Sequence, residues 1–83
     1  MSKAIDRLRE LLAELEHIQW WRWSSDIAGS EEISEERLAR WMSCWRPYED
    51  LPEEVKKQDR EWADKVIRVI KKWLQEEVFK DVL

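Results

Sequence analysis

Glycine occurs once and proline twice in this 83-residue chain. Strands and their hairpins need turn residues every ~8–12 positions, so that scarcity excludes a β-rich fold and predicts an all-α one. Cysteine occurs once, at Cys44, which excludes a disulfide framework and a multi-cysteine zinc site and fits a reducing compartment. No stretch approaches the ~20 apolar residues of a membrane span. Residues 1–6 carry no basic region followed by an apolar run, so no signal peptide is expected and the predicted location is cytoplasmic. Gly29 stands alone, so no glycine-rich loop cradles a phosphate. Cys44 has no histidine near it in sequence, and the acidic residues look like surface partners of lysine and arginine. Binding without catalysis, and without a cofactor, is the expectation.

What the chain does have is charge and tryptophan. Charged residues make up 41% of it, with glutamates alternating with lysines and arginines, the pattern of solvated helix faces. The net charge of −4 argues against DNA or RNA as partner, because phosphate neutralisation draws on a basic face. A chain this short forms one domain, residues 1–83, and buries only roughly 60–65% of its unfolded surface. Without disulfides, the remaining source of stability is self-association, so a homo-oligomer is expected.

The spacing predicts three helices. The first runs from about residue 3 to about residue 23, capped by Ser2, with Ile5, Leu8, Leu11, Leu12, Leu15 and Ile18 as its core-facing stripe. The small polar residues 24–30 read as the main loop. The second helix starts at Ser34, with Glu35 and Glu36 in its first turn and an Ile33–Leu38 staple. Leu38, Trp41, Met42 and Trp45 form its apolar face, and Pro47 ends it. The third opens at Pro52 and carries Val55, Trp62, Val66, Val69, Ile70 and Trp73 as a stripe. Unbroken to the C-terminus it spans ~45 Å, more than two short helices can cover, so its far end is expected against a second copy. The result is a compact three-helix domain with a long C-terminal helix.

Several residues do not fit a plain core. Asp59 falls inside the third stripe, where a carboxylate needs a hydrogen bond. An indole N–H, the Tyr48 hydroxyl or an arginine is the expected donor, and a ligand-orienting acid on a pocket floor is the alternative. His17 lies off the first stripe, on the side of Trp20 and Trp21. A lone histidine is ordinarily a surface or packing residue, and no cluster stands by to make it a zinc ligand. Four of the seven tryptophans (Trp41, Trp45, Trp62, Trp73) sit on stripes and read as core. Trp20, Trp21 and Trp23 crowd one turn and cannot all face one core, which suits a subunit interface or a stacking platform for a flat ring. Arg40 and Arg46 adjoin tryptophans, and Arg60 follows Asp59. Guanidinium beside indole suits a ligand with both a π-face and a phosphate.

The run His17-Ile18-Gln19-Trp20-Trp21-Arg22-Trp23, the pair Arg40-Trp41, the segment Pro47-Tyr48-Glu49-Asp50-Leu51-Pro52-Glu53-Glu54 and the set Lys56, Asp59-Arg60, Ala63 resemble a family of small phage and bacterial proteins. The second half is similar to the RyR domain, and the resemblance covers roughly residues 16–70. It implies a domain that binds a nucleotide second messenger, acting as a sponge that sequesters the cyclic nucleotide or ADP-ribose-type signals of bacterial antiviral defence. It further implies a homo-oligomer with ligands near subunit interfaces. Carried over position by position, the ligand-binding residues would be His17, Gln19, Trp20, Arg40, Trp41, Tyr48 and Arg60, with Asp59 a structural partner among them. The competing expectation is a helical adaptor that docks a host protein on an exposed aromatic face.

Overall fold

A computed structural model describes residues 2–80. It contains three α-helices and, among the described residues, no strand: α1 Lys3–Ser30, α2 Glu35–Ser43 and α3 Glu53–Trp73, with a 3₁₀ turn at Tyr48–Asp50 and a π-helical turn at Leu74–Val78. The helix starts follow local chemistry. Ser2 Oγ accepts the Ala4 N–H at 3.1 Å, and Ser34 Oγ accepts the Arg37 N–H at 3.2 Å. Pro52 precedes α3, whose first turn carries Glu53 and Glu54 at the positive end of the helix dipole.

The expected loop at residues 24–30 is helix instead. Ser24, Ser25 and Ser30 turn their hydroxyls back onto the carbonyls of Trp21, Arg22 and Asp26, so these residues satisfy themselves inside the helix. Gly29 keeps a negative φ. The chain leaves α1 only at Glu31, and four residues lead to α2. α3 is shorter than expected: the α-helical ladder stops at Trp73 and widens, with the Phe79 N–H reaching the Leu74 carbonyl at 2.8 Å. The expected continuation over residues 81–83 lies outside the described residues.

α1 and α3 pack as an antiparallel pair, with Ala13 and Ala63 both buried in the contact. Small residues there let the backbones approach closely. Tyr48 and Leu51, from the turn before α3, complete this small core, against which Leu12, Cys44 and Val55 are packed. The expected α1 stripe is therefore split. Leu12 packs against the core and Ile5 and Leu8 are partly buried, while Leu11, Leu15 and Ile18 are each about half exposed, and Ala13, His17 and Ser24 face inward. Trp62 and Trp73, expected in the core, are also half exposed.

The reason is where α2 sits. It packs across the far end of α1, with Trp41 against Trp20 and Trp23, and it does not lie along the α1–α3 groove. The body is consequently elongated, 55 × 25 × 14 Å, with a radius of gyration of 16.6 Å; a compact chain of this length would measure ~12 Å. No helix among the described residues is long and apolar enough to cross a membrane.

A tryptophan-walled cleft around His17 and Asp59

α1 brings His17 and Trp20 to the same side because three residues make nearly one helical turn. The two rings stack, with centroids 5.9 Å apart and planes 25° apart. The Arg46 carbonyl accepts a 2.7 Å hydrogen bond from His17 Nε2, which fixes the ring. Its Nδ1 is thereby turned towards α3, 3.9 Å from Asp59 Oδ2. The His17 side chain is 98% buried, at 2% exposure, and Asp59 is 13% exposed.

Between these elements lies a cleft of about 250 Å³, open to solvent on one side. Glu16, His17 and Trp20 line it from α1, Cys44 from the end of α2, and Val55, Gln58, Asp59 and Trp62 from α3. Lys65 Nζ stands 4.1 Å from the centroid of the Trp62 ring, which holds that indole in place. No lysine or arginine lines the cleft.

Asp59 is the anomaly in it. Its Oδ2 is buried and has no hydrogen-bond partner, so the expected donor is absent. Three of the candidates are committed elsewhere: Tyr48 and Arg60 to Glu10, and the Trp45 indole N–H to Ser24 Oγ at 2.9 Å. Burial pushes the Asp59 carboxyl up to about 6; His17 opposes the shift and the Glu16 charge adds to it. A buried acceptor with no partner is costly to fold around.

The opposite side of the helix pair is saturated. Glu10 accepts from the Tyr48 hydroxyl at 2.8 Å and from Arg60 Nε at 2.6 Å, and Arg60 also reaches Glu53 at 2.9 Å. Burial and Glu10 together push the Tyr48 hydroxyl up to about 12. Burial tends to raise the Glu10 carboxyl, but the bonds from Arg60 and Tyr48 outweigh it and hold the group below its ordinary value.

The seven candidate site residues thus separate. His17 and Trp20 line the cleft, and Trp41 meets Trp20 edge-on at 6.4 Å. Gln19 and Arg40 are exposed. Tyr48 and Arg60 belong to the Glu10 network. Glu16, Cys44 and Gln58 carried no signal of their own, whereas Val55 and Trp62 share the α3 stripe with Asp59; packing of the helices brings them all to His17. Asp59 did carry a signal, a carboxylate on an apolar stripe. Among the described residues, no group of three or more His, Cys, Asp or Glu side chains is placed to hold a metal ion. No family model, curated protein or solved structure matches this chain.

Proposed function

We propose that the protein is a non-catalytic binder that sequesters a nucleotide-type signal, with the planar base held in the His17/Asp59 cleft. The observation that supports this most directly is the unpartnered, buried Asp59 oxygen between the Trp20 and Trp62 walls. An indole wall stacks any flat ring, and a carboxylate floor accepts from N–H groups on its edge. At about 250 Å³ the cleft has room for one ring system and not for a dinucleotide, since drug-sized ligands fill ~300–1,000 Å³. Phosphates belong outside it, with the exposed Arg46, whose own carbonyl holds His17, and the exposed Arg40, next to Trp41 in sequence, as the candidate partners. The resemblance to small RyR-like phage proteins supplies the setting, a sponge for a cyclic nucleotide or an ADP-ribose-type immune signal.

The test is a thermal-shift and tryptophan-fluorescence screen against cyclic dinucleotides, ADP-ribose derivatives and nucleoside monophosphates. A binder raises the melting temperature, changes the fluorescence and loses both effects on Trp20→Ala. Silence across the panel at millimolar ligand sinks the reading. An adaptor role is favoured by a different observation, the half-exposed Trp23 beside Trp41. It predicts that a host protein is retained in a pull-down, released by Trp23→Ala, with no nucleotide response.

A further inference from the structure

α3 leaves four apolar side chains uncovered along one line: Trp62 at 54% exposure, Val66 at 42%, Val69 at 68% and Trp73 at 54%. Their spacing is four, three and four residues, the rhythm of a helix seam. Their identities are symmetric as well. Read from either end, the stripe is Trp, Val, Val, Trp.

That symmetry has a geometric meaning. If a second α3 lies antiparallel against the first, with the two-fold axis between residues 67 and 68, Trp62 faces Trp73 and Val66 faces Val69. Each contact then occurs twice. An isologous interface pairs residue i with j and j with i, and in this register the stripe does so with like side chains.

The area agrees. Two half-exposed tryptophans and two valines present on the order of 400 Å² of apolar surface. A standard interface takes ~800 Å² from each partner, so the stripe supplies about half. Part of the rest is at hand. Trp62 and Glu16 line the same cleft, so the side of α1 that carries Glu16, with Leu12 one turn before it, adjoins the stripe. Leu12 is only partly buried, and the stems of Lys65 and Lys72 add apolar length at the rim.

We propose that two copies of this chain associate antiparallel through Trp62, Val66, Val69 and Trp73, and that this sets Trp73 of the partner subunit at the mouth of the His17/Asp59 cleft. Trp62 is both a cleft wall and the end of the stripe, so the residue facing it across the axis stands at the opening. The dimer carries two clefts, each closed by an indole from the other copy. The closing role rests on the cleft being the ligand site; the association does not.

Multi-angle light scattering on the full chain at tens of micromolar tests the association. The wild type has the mass of two chains. Val69→Glu halves that mass with helical circular dichroism unchanged, because Val69 is the most exposed residue of the stripe. Leu15→Glu, an equal insult on the outer face of α1, leaves the mass at two chains. A monomeric wild type, or a Val69→Glu variant that remains paired, overturns the proposal. Orientation is read by a spin label on Gln58→Cys in a Cys44→Ser background. The antiparallel arrangement separates the two labels by about 28 Å along the helix axis, whereas contact-range broadening signals a parallel pair and overturns the register. A dimer that answers no nucleotide keeps the interface and discards the sponge. A nucleotide response that Val69→Glu leaves unchanged discards the closing role.

Discussion

The two sides of the α1–α3 pair are built from the same materials and end in opposite states. On one side Glu10, Tyr48, Arg60 and Glu53 use each other completely. On the other, Asp59 sits 3.9 Å from His17 with one oxygen unsatisfied, between two tryptophans. A network whose members bond one another holds the chain together. An unsaturated one costs stability and is retained where something else completes it. This separates Tyr48 and Arg60, which serve the fold, from His17 and Trp20, which serve the cleft.

The largest expected effect breaks the saturated side. Glu10→Ala leaves the Tyr48 hydroxyl without its acceptor and frees Arg60 Nε, at a cost of roughly 2 kcal/mol. For a domain this small that lowers the melting temperature by roughly 8–16 °C, read by circular dichroism.

A smaller effect of opposite sign comes from the open side. In the folded chain the Asp59 carboxyl sits at about 6, above its ordinary 3.8. Between about pH 4 and 6 the folded state therefore holds a proton that the unfolded state releases, and stability from this group declines as pH rises through that window. Asp59→Asn should be more stable than wild type by roughly 1 kcal/mol at pH 7. The gain should vanish below about pH 4, where both states of the wild type are protonated, and the variant should lose ligand response. Denaturant melts of the two proteins across pH check the sign; a gain that persists at low pH would show that Asp59 is not held up by burial.

The smallest effect sharpens the same point. Glu16→Gln removes the like charge that adds to the Asp59 shift, so the pH at which the Asp59→Asn advantage stops growing should move down from about 6 by roughly half a unit or less, and its size at pH 7 should shrink with it.

What could be read in the sequence is what local chemistry controls. The caps at Ser2 and Ser34 and the start of α3 after Pro52 lie where the residues put them. The serines of α1 misled because a hydroxyl that breaks a helix and one that bonds back into it are the same residue. The inside of α1 misled for a longer-range reason. Leu11, Leu15 and Ile18 make the better apolar stripe, but Ala13 against Ala63 makes the closer helix contact, and that choice depends on α3. The cleft shares this origin. His17 and Trp20 are legible as neighbours on one helix, and Asp59 as a misplaced carboxylate, while Trp62, Val55 and Cys44 arrive from elements that only the pairing brings near.

Because α1 continues through Ser24 to Ser30, one rod of about 42 Å is anchored at one end by α3 and at the other by α2. His17 stands at the junction, bonded to the Arg46 carbonyl on one side and facing Asp59 on the other. In hydrogen-exchange terms the helix holds two populations of amides. Those before His17 should open with α3, and those near Trp23 and Ser24 with α2 and the Trp45 indole bond that follows it. A ligand that engages Asp59 and presses on Trp20 ties these openings together, so its arrival would be felt most in amides it never touches.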